Sequence, residues 1–142
     1  MIKKFELDLS SKITMFGIEL FRIKALISFS DVEKGELGGY VEKEENLSHS
    51  GNAWVYGDAE VYGNARVSGD ARVSKLNDYI VFKNNWSSGR YFTYTRSNKM
   101  WRVGCFYGTG EELIKKAYQD SKDSGKHYEA YVNLVKTLEQ EE

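Results

Sequence analysis

Two histidines, one cysteine and a glycine-rich segment are the positions where this chain of 142 residues could do bond-making chemistry. A thiol nucleophile needs a base beside it, and Cys105 has neither His49 nor His127 near it in sequence. Cys105 stands in an apolar, strand-like run and is expected to be a small buried hydrophobe. Metal binding needs clustered ligands. Two scattered histidines and one cysteine offer no such cluster, so neither a metal nor a cofactor is expected. The segment Gly104-Cys105-Phe106-Tyr107-Gly108-Thr109-Gly110 lacks the Lys-Ser/Thr of a phosphate loop. It reads as a strand-to-helix turn, with Glu111 and Glu112 placed to repel an anion from the helix start. No catalytic residue is expected. Binding chemistry is better represented: Glu42, Glu44 and Glu60 are spaced carboxylates, and Trp54, Tyr56, Tyr62 and Arg72 are of the types that dominate interfaces.

These seven residues lie in a repetitive stretch. Written in sixes from position 46, the chain reads NLSHSG, NAWVYG, DAEVYG, NARVSG, DARVSK. The second position holds Leu47, Ala53, Ala59, Ala65 and Ala71, and the fourth holds His49, Val55, Val61, Val67 and Val73. Residues two apart point to one side of a strand, so these two series predict an inward face. Gly followed by Asn or Asp is turn chemistry. Each six is then one short strand and one corner. Three corners close a triangle, and residues 40–75 make two such turns. Residues eighteen apart would stack, giving three outer faces. The first carries Glu42, Glu44, Glu60 and Tyr62; the second, Ser48, Ser50, Arg66 and Ser68; the third, Trp54, Tyr56, Arg72 and Ser74. His49 takes a position that valine fills elsewhere, and is expected to pack or cap.

The pattern resembles the left-handed parallel β-helix of hexapeptide-repeat proteins, in which a small residue follows an aliphatic one by four positions. Val55 and Ala59, Val61 and Ala65, and Val67 and Ala71 fit it. The chain departs in having Tyr56, Tyr62 and Ser68 where that family has glycine. FRIKAL at 21–26, GELGGYVEKEENLS at 35–48 and GNAWVYGDAEVYGNARVSG at 51–69 resemble uncharacterised hexapeptide-repeat proteins of phages and prophages. GCFYGTGEEL at 104–113 resembles a module often joined to them. The resemblance implies a fold and a phage setting, with no agreed activity. Hexapeptide acyltransferases use a histidine as general base, but they resemble this chain only in the repeat.

Outside the repeat, residues 3–28 alternate in places and predict strands that cap its first turn. Tyr79-Ile80-Val81-Phe82, Tyr91-Phe92-Thr93-Tyr94 and Met100-Trp101-Arg102-Val103 predict three strands joined by hairpin turns. Thr109-Gly110-Glu111-Glu112 is a capping box, opening a helix with Leu113, Ile114, Ala117 and Tyr118 on one face. Ser124-Gly125 predicts a break, and a second helix follows with Tyr128, Tyr131, Val132, Val135 and Leu138 inward. His127 is expected at that helix start, exposed. The expected fold is mainly β with α: a short left-handed parallel β-helix of about two coils, then a βββαα module. The division is an N-terminal cap at 1–39, the repeat at 40–75 and the α+β module at 76–142.

With 20 basic and 21 acidic residues, the chain lacks the basic excess of a nucleic-acid binder. No run approaches the roughly 18 apolar residues of a membrane span. Met-Ile-Lys-Lys-Phe-Glu-Leu-Asp has no apolar core and is not read as a signal peptide. A cytoplasmic protein is expected, in the infected host cell if the phage setting holds. The expected function is a non-enzymatic protein-binding module: a phage-encoded inhibitor of a host defence system, such as an anti-CRISPR acting on a guided nuclease. Its partner would be a host protein or protein–nucleic-acid complex, with no direct contact to nucleic acid or membrane. Glu42, Glu44 and Glu60 would mimic phosphates, with Tyr62, Trp54, Tyr56 and Arg72 as anchors. Two other readings stand beside it: an acyltransferase-like enzyme, and a structural protein that uses the repeat to form a homo-oligomer.

Overall fold

The computed structural model describes residues 2–140. Strands β1 (Phe5–Met15) and β2 (Ile18–Ala25) form an antiparallel hairpin. Its turn residues Phe16 and Gly17 both have positive φ, 50° and 81°, the twist that two-residue hairpins favour. β2 pairs antiparallel with β3 (Leu37–Val41), and β3 pairs parallel with β5 (Glu60–Val61). β4 (Trp54–Val55) and β6 (Arg72–Val73) pair with each other alone. An antiparallel sheet of β7 (Tyr79–Lys83), β8 (Tyr91–Thr95), β9 (Met100–Val103) and β10 (Phe106–Gly108) follows, then helices α1 (Gly110–Asp120) and α2 (Lys122–Gln140).

The expected left-handed parallel β-helix is not formed. The strands fall into three sheets, one mixed, one antiparallel and one of only two strands. The repeat supplies strands just two residues long. The long β2 edge captures β3, and β3 draws β5 into the N-terminal sheet. The strands expected within residues 3–28 form as β1 and β2, and they build a sheet with β3 and β5 rather than only capping a coil. The spacing of eighteen holds between β4 and β6, where Trp54 faces Arg72 and Val55 faces Val73. It fails between β3 and β5, where Tyr40 faces Glu60 and Val41 faces Val61, and at the isolated bridge of Leu47 to Val67. Between Leu47 and Val55 the chain takes two residues more than between Val67 and Val73. The extra length makes the corner that holds His49. Leu47, and not His49, lies in register with the valine series.

The inward series is nonetheless buried. Ala53, Val55, Val61, Val67, Ala71 and Val73 pack with Phe5, Ile23, Val41 and Trp54 in one core. Each such valine contributes about 1.5–3 kcal/mol of burial. A second core gathers Phe92, Tyr94 and Trp101 from the sheet and Leu113, Ala117, Tyr128, Val132 and Val135 from the helices. β7 serves both. Its alternation sends Tyr79 and Val81 to the first core and Ile80 and Phe82 to the second.

The expected βββαα order gains a fourth strand. Val103 pairs with Phe106, so Gly104 and Cys105 are a two-residue hairpin turn, with Gly104 at φ 56°. The glycine-rich segment was expected to lead straight into the helix, but it first pairs as β10. Cys105 sits at the turn tip and is exposed, which corrects the expectation of a buried thiol. The capping box at α1 closes as the spacing predicts: Thr109 Oγ1 accepts from Glu112 N at 3.2 Å, and Glu112 Oε1 accepts from Thr109 N at 2.8 Å. The helix break comes at Ser121, and Ser124 and Gly125 lie inside α2. Gly125 is there because α1 passes so close. A Cβ on it would come within 2.3 Å of the Tyr118 ring.

Candidate functional site

Of the carboxylates expected to form an anionic surface, Glu42 and Glu44 are engaged within the fold. The register places Glu60 beside Tyr40 rather than beside Glu42. Glu42 Oε1 accepts the N–H of Gly63 at 2.8 Å, so it ties down one repeat corner. Glu44 Oε1 takes His49 Nε2 at 2.7 Å and Lys3 Nζ at 3.3 Å. The hydrogen bond from His49 holds the Glu44 carboxyl below the usual range. Glu60 is half-buried, and its carbonyl accepts the Tyr79 hydroxyl at 3.1 Å.

On the expected aromatic face Trp54 is turned inward, while Tyr56 is half-buried and Arg72 is exposed. Trp54 is fully buried against Phe29 and Phe5, at centroid distances of 5.3 and 6.5 Å. It was expected to be an outer anchor, but the N-terminal sheet covers that face. Tyr56 donates to Asp31 Oδ1 at 2.9 Å, while Arg72 lies over the Tyr56 ring and reaches Asp31 Oδ2 at 3.2 Å. Burial first, and then the Asp31 bond, push the Tyr56 phenol up to about 12. Tyr56, Arg72 and Asp31 thus satisfy one another. Tyr62 is half-buried.

His49 is built into the fold. Its ring stacks on Phe5 at 4.3 Å, and Nδ1 accepts the backbone N–H of Lys4 at 3.1 Å. An amide can only donate, so Nδ1 carries the lone pair and Nε2 carries the proton that Glu44 accepts. His127 is a turn inside α2, half-buried, and stacks on Trp86 at 4.3 Å. No group of three or more His, Cys, Asp or Glu residues is placed to hold a metal among the described residues.

A groove lies open between the repeat and the C-terminal sheet. One part, about 430 Å³, brings together Ser48, Ser50, Arg66 and Ser68, the four residues of the expected second face, with His49 and Arg102. The adjoining part, about 500 Å³, is lined by Asn64, Arg66, Arg90, Tyr91, Thr93, Arg102, Gly104 and Cys105. Arg66 and Arg102 belong to both. The second part has three arginines and no carboxylate in its wall.

Local structure fixes these arginines. Thr93 faces Arg102 across the β8–β9 ladder, and its Oγ1 accepts the N–H of Arg66 at 3.0 Å. Arg102 Nε donates to Gly104 O at 2.7 Å and Nη1 to Ser68 Oγ at 2.9 Å. The Arg90 guanidinium lies on the other side of the same glycine, 3.4 Å from where a Gly104 Cβ would stand. The Arg66 and Arg90 guanidiniums have no hydrogen-bond or ion-pair partner among the described residues. Arg66 could be found from the repeat spacing. Arg90 and Arg102 arrive from the other sheet, and no local pattern marks them.

No known family model matches the chain, and no curated protein matches it either. No helix among the described residues is long and apolar enough to cross a membrane.

Proposed function

We propose that this is a non-enzymatic binding protein whose recognition surface is the groove between the repeat and the C-terminal sheet. The observation that carries this reading is that the exposed Arg66 and Arg90 guanidiniums stand unpaired, among the described residues, in the part of the groove whose wall has no carboxylate, while Glu44 and Glu45 line the adjoining part. Unpaired cations gathered on one wall are available to complement an anionic partner. The acid–base candidate argues the same way: His49 spends Nδ1 on a backbone amide and its Nε2 proton on Glu44, which leaves it no free lone pair for a general base. In the phage setting that the sequence resemblance implies, such a protein would work in the host cytoplasm as an inhibitor of a defence complex, with the groove rather than an acidic face making the contact. The test is affinity capture from host lysate with the wild-type protein and with an Arg66→Glu, Arg90→Glu double variant. A partner held by the wild type and lost by the variant is the expected result. A partner captured equally by both would remove the groove as the recognition surface.

A further inference from the structure

We infer that the arginine end of the groove is a nucleotide site, taking a phosphate between Arg66, Arg90 and Arg102 and a base at Tyr91. This deepens the reading of the groove as a binding surface and rests on it. Two guanidiniums flank Gly104, one bonded to its carbonyl and the other within 3.4 Å of its missing side chain. The third is anchored through its backbone to Thr93, the cross-strand neighbour of Arg102. Three guanidiniums lining one cavity repel one another, and an anion bound among them relieves that repulsion. Arginine forks bind oxyanions bidentately. A single carboxylate presents two oxygens to three forks, whereas a terminal phosphate presents three.

The rest of the wall suits the remainder of a nucleotide. Tyr91 is 44% exposed and lines the same cavity, so its ring is accessible for a planar base to stack on. Lys83 Nζ lies over that ring, 5.9 Å from its centroid, and moves aside for a base on that face. Asn64 brings an amide that can both donate and accept at a base edge. At about 500 Å³ the cavity lies within the range of small-molecule sites.

Cys105, the chain's single cysteine, is exposed in this wall and serves as a reporter. The experiment measures alkylation of Cys105 by iodoacetamide, together with calorimetric binding, using AMP, adenosine and pyrophosphate as probes. AMP and pyrophosphate are expected to bind and to slow alkylation, and adenosine to do neither. Arg66→Gln and Arg90→Gln should each weaken AMP by about tenfold or more. Their folds, checked by circular dichroism, should be unchanged, since neither guanidinium has a partner among the described residues. Tyr91→Ala should weaken AMP and leave pyrophosphate as it was. Absence of AMP binding at about 1 mM, a very weak affinity, overturns the inference. So does equal binding of adenosine and AMP, or AMP binding that ignores the arginine variants. Loss of the Tyr91 effect alone would reduce the site to a simple anion site and overturn its assignment to nucleotides. The two readings fail separately: lysate capture can fail while AMP binds, and AMP can fail while a groove-dependent partner is captured.

Discussion

The backbone N–H of Lys4 donates to His49 Nδ1 across 45 residues of sequence, at 3.1 Å. That bond, with the Phe5 stack, fastens the start of β1 to the widened corner of the repeat. His49→Ala should therefore act on stability. It strands the Lys4 amide, leaves the Glu44 carboxylate with Lys3 alone and removes a ring stack, a loss of about 2 kcal/mol. Chemical denaturation reads this directly. Partner capture at temperatures below the melt should stay within a few fold of wild type. An unchanged midpoint would show that the corner does not need the imidazole.

Lys4 is itself almost fully buried, its Nζ donating to Ala53 O at 2.6 Å and Gly51 O at 3.3 Å. Burial lowers its pKa from 10.5 to about 8, and Asp70 opposes this. Between those values the unfolded chain binds more protons than the folded one, so stability rises with pH. The gain from pH 8 to pH 10 is about 2 kcal/mol. Burial raises Tyr56 and Tyr79 from 10.0 to about 12. Above pH 10 the unfolded phenols lose protons first, and stability falls. Urea midpoints across pH 7–11 should pass through a maximum near pH 10, and Lys4→Met should remove the rising limb. A flat profile in the wild type would contradict the burial of the ammonium.

Converting Glu42, Glu44 and Glu60 together to lysine tests the expected acidic surface. Glu42 holds Gly63 N and Glu44 holds His49 and Lys3. The triple variant should lose about 2 kcal/mol or more of stability, seen as a lower melting temperature. A variant that melts like wild type but no longer captures its partner would restore those carboxylates as the contact surface.

A glycine inside a helix normally costs about 1 kcal/mol relative to alanine. Gly125→Ala should nevertheless destabilise, because the new Cβ would come within 2.3 Å of the Tyr118 ring. The ring must swing away and give up its 2.6 Å bond to Glu129 Oε1. A loss of about 1–2 kcal/mol is expected in thermal or urea melts, as for other overpacked contacts. A rise in melting temperature would mean that α1 and α2 are not packed this closely.

The sequence was legible where a residue's fate depends on its near neighbours. Val61 and Val67 are buried as their spacing requires. The capping hydroxyl of Thr109 meets Glu112, and β8 and β9 fall on apolar runs. Periodicity says which side of a strand a residue takes, but not which sheet the strand will join. The β2 edge decided that for β3 and β5, and no pattern within the repeat carries this information. The same limit hid the fate of Trp54: its face reads as outer by spacing, yet Phe5 and Phe29, from outside the repeat, bury it. In the groove, Ser48, Ser50, Arg66 and Ser68 share one wall as expected, but the Leu47–Val67 bridge sets their register at twenty and not eighteen. Arg90 and Arg102 join them only through the docking of another sheet.

β7 gives Tyr79 and Val81 to one core and Ile80 and Phe82 to the other. Neither core can open on its own without stripping one side of that strand. Loosening either strips contacts from the other, so the two halves are bound into one cooperative unit. The groove draws its lining from both halves, Arg66 from one and Arg90 and Arg102 from the other. A ligand that fills it would bridge both, and its binding energy should stabilise the whole molecule rather than one half.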